Sequence, residues 1–372
     1  MEIKINIVKP FLPNLEEISA EFKECLDSGL VSNNSKHVRQ LEENLQQFLN
    51  TSTKPLVFCN GEMALFHLIQ AHKLKMGYGV HDSFNVLVPS LTFSGTINAI
   101  IMNNLKPVFC DVDETLTIDL TKADFSNVKM VILVGAYGNL PNIGLLNKIV
   151  EKHQLEVIFD NAPAFGSTYR DKFISNYGYS EIFSFHVSKI FNSMEGGAAI
   201  SNDTEIHDIL YKLRDFGQYE KVRGNVDVPG LNSKMQEISA LVGIKNLEKI
   251  DYILNKRKEN INKYKLFFED FKKNKFETML VNDNVFCSYL YYPLILNEDA
   301  TDFVNYMSDN NIMVRRYYTA VHSLDLYRDK YETQDLSFTN NIKDRLVALP
   351  MHTIMSESEI NYLFETVKKY FI

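Results

Sequence analysis

The chain has 372 residues, 45% of them hydrophobic and 23% charged, the balance of an ordinary globular protein long enough for one large domain with a smaller companion. Its 39 basic and 47 acidic side chains leave a net charge of −8, so the surface field repels nucleic acid and any anionic ligand must be met by local donors. No stretch approaches the ~18 uncharged apolar residues of a membrane-spanning helix, and charges interrupt the opening MEIKINIVKPFLP where a signal-peptide core would lie; the expectation is a cytoplasmic protein with neither membrane nor nucleic acid as partner.

Helical periodicity covers Leu15 to Asp27 and Val38 to Phe48, and Ser28-Gly29 stops the first of these. Short β-branched or apolar runs then appear at Leu56 to Cys59, Asn85 to Val88, Pro107 to Val112, Met130 to Gly135 and Val157 to Phe159. They alternate with helical segments, clearest at Ala64 to Lys75 and Leu140 to Lys152. Such alternation predicts an α/β fold, a mainly parallel sheet flanked by helices. Ile182 to His186 and Ala198 to Ser201 read as two strands joined by a turn containing Gly196-Gly197. One long helical pattern, Met235 to Phe271, leads out of the large domain, followed by an aromatic strand, Phe286 to Leu296, and two more helices, including Glu357 to Tyr370. The expected division is a large domain over 1–245 and a smaller C-terminal α+β domain over 246–372. Cys25, Cys59, Cys110 and Cys287 lack the paired spacing that chelates zinc and the density of a disulfide scaffold, so they read as reduced core residues and no metal site is expected.

In open α/β sheets, ligands gather outside the carboxyl ends of the strands, and four predicted strand ends carry suggestive chemistry. Cys59-Asn60-Gly61 opens directly into a helix beginning Glu62-Met63, where a glycine lets backbone N–H groups approach an anion at the positive helix end. Pro89 to Phe93 brings an aromatic ring to the same rim, although Phe93 is by default a core residue. Asp160 follows three apolar residues, and a buried carboxylate needs a cation or hydrogen-bond donor; taken singly it reads as a turn cap. Lys189 lies between Ser184-Phe185-His186 and Glu195-Gly196-Gly197, and taken singly reads as a solvated surface lysine. Together these parts meet the needs of pyridoxal phosphate: an anion seat, a ring cover, an acid for the pyridine nitrogen and an amine for the aldehyde.

The run SFHVSKIFNSMEGGAAIS at 184–201 resembles the active-lysine segment of the DegT/DnrJ/EryC1/StrS sugar aminotransferases, members of the fold type I pyridoxal phosphate enzymes. The resemblance continues through SGLVSN at 28–33, NGEMAL at 60–65, VPSLTFSGTINAI at 88–100, KPVFCDVDETLTID at 106–119, YGNLPNI at 137–143, VIFDNAPAFGSTY at 157–169 and PGLNSKMQEISALVG at 229–243. It implies that Lys189 is the Schiff-base lysine, that Asp160 partners the pyridinium nitrogen and that Phe93 stacks on the cofactor ring. Gly61, the amide of Glu62 and the hydroxyl of Ser184 would hold the phosphate. Asn232 would reach the phosphate of a neighbouring subunit, which makes the expected assembly a homodimer with shared active sites.

The same resemblance implies ping-pong transamination from L-glutamate to a nucleotide-linked keto sugar. The detail of the lysine segment, with VRRYY at 314–318, looks most like enzymes acting at C4 of dTDP-4-keto-6-deoxyglucose in surface polysaccharide synthesis of the O-antigen type. Arg315, Arg316, Tyr317 and His186 are the candidate substrate contacts, a guanidinium fork suiting a diphosphate; for the arginines a surface ion pair is the alternative. Two positions depart from the family. Glu62 replaces a Thr or Ser, so its side chain must turn away from the phosphate, and Pro163 replaces a Gln or His that contacts the cofactor's phenolic oxygen. A 3-aminotransferase acting on a dTDP-3-keto-6-deoxyhexose uses the same machinery with a different sugar pose, and neither the nucleotide nor the stereochemistry of the amine follows from these motifs. A dehydratase is disfavoured because such relatives carry histidine at the Lys189 position. A non-catalytic scaffold retaining the fold is the reading that Glu62 and Pro163 would favour.

Overall fold

The computed structural model describes residues 5–32, 34–218, 225–271 and 275–372; of the motif residues above, Asn33 lies outside them. Helices α1 (Leu15–Ser28) and α2 (Lys36–Leu49) come first. Glu17 accepts the Asn14 N–H at 2.8 Å at the start of α1, and Gly29 ends it in the left-handed conformation, φ 67°. The strands that follow are β1 (Leu56–Phe58), β2 (Asn85–Pro89), β3 (Lys106–Cys110), β4 (Met130–Val134), β5 (Glu156–Asp160), β6 (Thr168–Tyr169), β7 (Ser180–Ser184) and β8 (Gly197–Ile200). All but β6 form one sheet in the order β1-β8-β7-β5-β4-β2-β3. Only β8 runs against its neighbours there.

Helices α3 (Gly61–Lys75), α4 (Ser94–Met102) and α6 (Thr204–Leu213) pack on one face of this sheet, and α2 and α5 (Ile143–His153) on the other. Burial on both faces explains why the strands read as unbroken apolar runs. In β4, Ile132 joins the core containing Leu68 and Ile100, while Val131 and Leu133 join that containing Ile143 and Leu146. The cap residues move two helix starts. Asn60 accepts the Met63 N–H at 2.8 Å, so α3 begins at Gly61, one residue before the opening expected at Glu62 and three before the clearest periodicity at Ala64; Asn142 does the same for Leu145 at 3.0 Å, so α5 begins at Ile143 rather than Leu140.

Three sequence expectations are corrected. The helix expected over Met235 to Phe271 is two, α7 (Glu237–Leu247) and α8 (Ile250–Phe271). Every residue from Ala240 to Ile244 is buried in α7, whereas α8 buries the single stripe Ile250, Ile253, Arg257, Ile261, Tyr264, Phe268 and Phe271. The break falls where all-round burial gives way to one-sided burial. The strand expected over Phe286 to Leu296 is also two: β10 (Val285–Phe286) pairs with β6, and β11 (Tyr292–Leu296) pairs with β9 (Phe276–Thr278) and β12 (Leu346–Leu349) in a small antiparallel sheet. Between them the buried Arg257 guanidinium binds the carbonyls of Ser288, Tyr289 and Leu290, which are thereby withdrawn from a strand ladder. The link from β7 to β8 is the loop 185–196 rather than a tight turn.

The small sheet is packed by α8, α9 (Thr301–Asp309) and α11 (Glu357–Phe371). Phe267 and Phe364 stack there with ring centroids 4.2 Å apart. The chain also passes back between the two sheets. Ile5 bonds to the Asn311–Met313 backbone, and the segment before α10 (Ser337–Ile342) returns to the large sheet. There Phe109 of the edge strand β3 donates to the Glu332 carbonyl and accepts from the Gln334 N–H, each at 2.9 Å. Among the described residues no helix is long and apolar enough to cross a membrane, and no His, Cys, Asp and Glu cluster could hold a metal ion. The four cysteines are unbridged; Cys25, Cys110 and Cys287 are buried, but Cys59 is a cavity residue rather than a core one.

Candidate active site

The residues that follow β1, β2, β5 and β7 surround a cavity of about 500 Å3, at the strand ends where an open sheet collects ligands. One end of it is shaped for an anion. The Asn60 side chain and carbonyl take the Met63 and Ala64 N–H groups, which leaves the N–H groups of Gly61 and Glu62, first in α3, without an intrahelical acceptor. Gly61 lies so close to β7 that a methyl there would sit 2.7 Å from the Ser184 Cβ, and one on Gly197 would sit 2.6 Å from the Gly61 Cα. The Ser184 oxygen accepts the His186 N–H at 3.4 Å, and its own hydrogen is not used in that bond. The Glu62 carboxyl carbon is 3.5 Å from where a Gly95 Cβ would be, so the side chain turns to the start of α4, whose positive end suits a carboxylate.

Asp160, the last residue of β5, is 6% exposed. Its Oδ2 accepts from the Thr96 hydroxyl at 2.7 Å and its Oδ1 from the Ala162 N–H at 3.2 Å. Burial pushes the carboxyl pKa up, and the Thr96 bond, the Ala162 bond and the charge of Lys189 oppose the rise. Lys189 stands on the 185–196 loop, its N–H bonded to the His186 carbonyl at 2.9 Å. Burial lowers its amine pKa and the Asp160 charge opposes that, which raises the fraction present as the nucleophilic free amine. Neither residue fits its single-residue alternative, since Asp160 and Lys189 face one cavity.

Phe93 is 60% exposed and lines the cavity, so the default core assignment is corrected. His186 lines it too. Its Nδ1 accepts the Ser188 N–H at 3.1 Å, and its Nε2 lies 3.6 Å from Glu195 Oε1. Tyr317 lies on the wall, stacked on Tyr291 with centroids 5.6 Å apart. Burial pushes the Tyr291 hydroxyl pKa up to about 12, so it serves as a neutral donor.

Three expected residues lie outside this cavity. Arg316 donates to Asp299 Oδ1 at 2.7 Å and to the Thr301 hydroxyl, the surface ion pair that was its alternative. Arg315 is exposed, its guanidinium 6.0 Å from the Tyr317 ring centroid. Asn232 is exposed on an outer strap, next to Ser233, whose carbonyl accepts the Cys59 N–H at 2.8 Å and whose hydroxyl meets the buried His67 Nε2 at 2.8 Å. Sequence reasoning missed Thr92, Thr96, Tyr291 and Tyr318. The two threonines were inside the motif at 88–100 at the i, i+4 spacing of a helix start; the tyrosines come from the C-terminal unit and carry no local signal.

An anion seat at a helix start, with a carboxylate and an amine facing one cavity at the ends of a mainly parallel sheet, defines a pyridoxal phosphate enzyme of fold type I. The DegT/DnrJ/EryC1/StrS aminotransferase family matches residues 14–368, and the chain belongs to it. A dTDP-4-amino-4,6-dideoxy-D-glucose transaminase of Shigella dysenteriae is 29% identical over 99% of this chain and 100% of its own. Among solved structures, the Helicobacter pylori aminotransferase PseC of pseudoaminic acid biosynthesis superposes with a TM-score of 0.88, at 24% identity over 99% of each chain. An E. coli GDP-4-keto-6-deoxy-D-mannose-3-dehydratase with bound hydrated pyridoxal phosphate gives 0.86, at 20% identity over 98% of this chain and 100% of that one. The chain is therefore a pyridoxal-phosphate-dependent aminotransferase, and its cavity fits the cofactor: the close approach of Gly61, Ser184 and Gly197 forms the cradle a phosphate requires.

Proposed function

We propose that the enzyme moves the amino group of L-glutamate to C4 of dTDP-4-keto-6-deoxyglucose, in a cytoplasmic route to surface polysaccharide of the O-antigen type. The observation that carries the reading is that Lys189 and the buried Asp160 line one cavity; the Shigella relative supports the substrate through its printed activity and full-length match. Bound pyridoxal phosphate supplies an electrophilic carbon and an electron sink. Lys189 Nζ would hold that carbon and, as a free amine, would be the group placed to move a proton between it and the substrate carbon. Asp160 holds a proton on the ring nitrogen, Phe93 covers the ring face, and the N–H groups of Gly61 and Glu62 with the Ser184 hydroxyl bind the phosphate. Asn232 reaches the phosphate of a partner subunit in a homodimer, and its outward position supports that role. The two domains, 1–245 and 246–372, meet at the site, the second contributing Tyr291 and Tyr317. Of the two arginines, Arg315 is the one for the substrate's diphosphate, since Arg316 is already paired.

The test is the product formed from dTDP-4-keto-6-deoxyglucose, L-glutamate and enzyme. A 4-amino-4,6-dideoxy sugar, located by the NMR couplings of its ring protons, is the expected result. Turnover only after addition of a 3,4-ketoisomerase, with nitrogen at C3, would overturn the C4 assignment. Loss of the C3 hydroxyl without amination would put the chain with the dehydratase whose fold it shares.

A further inference from the structure

Behind Asp160 lies a row of hydroxyls. Thr92 and Thr96 are 1% and 2% exposed, with their Oγ1 atoms 2.9 Å apart and Thr96 Oγ1 2.7 Å from Asp160 Oδ2. Each hydroxyl has one hydrogen to give, and an ionised carboxylate has none. The ionised state therefore orders the row: Thr96 donates to Asp160, and Thr92 donates to Thr96. Thr92 precedes α4 and Thr96 lies in its first turn, and both line the cavity together with Phe93.

We propose that Thr96, oriented by Thr92, is the positioning residue that keeps Asp160 ionised and holds one of its oxygens so that the other serves the cavity. The inference rests on the reading that Asp160 meets the ring nitrogen of the cofactor. Burial disfavours the charged carboxylate, and the Thr96 hydrogen bond is the strongest of the contacts that oppose it. The other groups that feel the Asp160 charge are the Ala162 N–H, the Lys189 amine from the loop after β7 and the buried Tyr318 phenol from the C-terminal unit. Of these, Lys189 would not be a constant partner, because its amine would be engaged by the cofactor, whereas the Thr96 hydroxyl is used by no step of the proposed reaction. A charge-assisted hydrogen bond is about twice as strong as a neutral one, so the threonine stabilises the ionised acid far more than the protonated one.

The experiment uses full-length enzyme loaded with pyridoxal phosphate and needs no turnover. Two quantities are read: the pH midpoint of the cofactor's visible absorbance change, and the cofactor Kd. Asp160→Asn sets the full effect of losing the charge. Thr96→Val should move the midpoint in the same direction as Asp160→Asn and weaken cofactor binding by about tenfold, the loss expected of one charge-assisted bond. Thr96→Ser should restore both. Thr92→Val, which leaves Asp160 its donor, should move both by less and guards against a Thr96→Val protein that does not fold. A purely structural threonine would lower the melting temperature and leave the midpoint alone. Wild-type midpoint and Kd in folded Thr96→Val, with Asp160→Asn displaced, would overturn the proposal while keeping the Asp160 assignment; an undisplaced Asp160→Asn would remove the assignment and the proposal together.

Discussion

Replacing Gly61 by alanine perturbs the anion seat in a way the geometry makes quantitative. The new Cβ would stand 2.7 Å from the Ser184 Cβ and 3.0 Å from its Cα, against about 3.4 Å for ordinary contact, so the start of α3 must move by about 0.7 Å. Ser184 is the last residue of a central strand and cannot yield as a flexible side chain would. Gly197 already presses on Gly61 from the neighbouring strand, so the helix lifts away from the sheet and takes the Gly61 and Glu62 N–H groups with it. Overpacking of this kind costs about 1–3 kcal/mol, and misplacing two phosphate donors should weaken cofactor binding at least tenfold, about 1.4 kcal/mol. Titration of apo-enzyme with pyridoxal phosphate, followed by absorbance, reads the second term; a thermal melt of apo-enzyme reads the first. Adding Ser184→Gly to Gly61→Ala relieves the closest contact and should recover melting temperature without recovering affinity, because the hydroxyl is gone. A Gly61→Ala protein with wild-type melting temperature and wild-type Kd would refute the close-packed cradle.

Lys189→Ala should abolish turnover and the visible absorbance of the resting enzyme; mixed with Asn232→Ala it should form heterodimers in which one site regains an intact set and activity returns, and a fully active monomer would contradict the shared site. Asp160→Asn should bind cofactor yet slow kcat by ~10²–10⁴-fold, checked by the rate of the glutamate half-reaction. Arg315→Ala should raise KM for the sugar nucleotide about tenfold or more through loss of a charge-assisted contact, whereas Arg316→Ala should leave it within about twofold, because the Asp299 pair it breaks is exposed. Burial lowers the pKa of His67 and His352 from the usual 6.5 to about 4. The unfolded chain therefore binds more protons across that window, and stability should be complete above pH 6.5 and fall as the pH drops towards 4, by roughly 3 kcal/mol per histidine. Melting temperatures from pH 7 to pH 4 test this, with His67→Gln flattening part of the slope.

Much of this was legible in the chain because its physical causes are local. The parallel strands announce themselves as runs such as Met130 to Val134, since both faces are covered, and the strand-end residues Gly61, Phe93, Asp160 and Ser184 sit where an open sheet must place a ligand. What escaped depends on distant partners. Nothing near Phe286 reveals that Arg257 will capture the next carbonyls, and nothing near Tyr291 or Tyr318 shows that the C-terminal unit folds over the cavity. The change from all-round to single-stripe burial at Glu248-Lys249 was written in the residues, but it registers only as a softening of one long helical pattern. Arg315 and Arg316 are neighbours in an apparently equivalent pair, and only the position of Asp299 separates them.

The return of residues 332–334 to the edge of β3 has a consequence for biogenesis. An open sheet edge is a template for pairing with other chains, and here the segment that closes it is translated long after the strand it protects. At roughly 5–20 residues per second, an emerging polypeptide carries that strand for on the order of ten seconds or more before its own cover exists. The nascent protein is thus most prone to aggregate while the residues between β3 and 332–334 are being made, and its yield in the cell should depend on chaperones that shield an apolar strand until that segment has emerged.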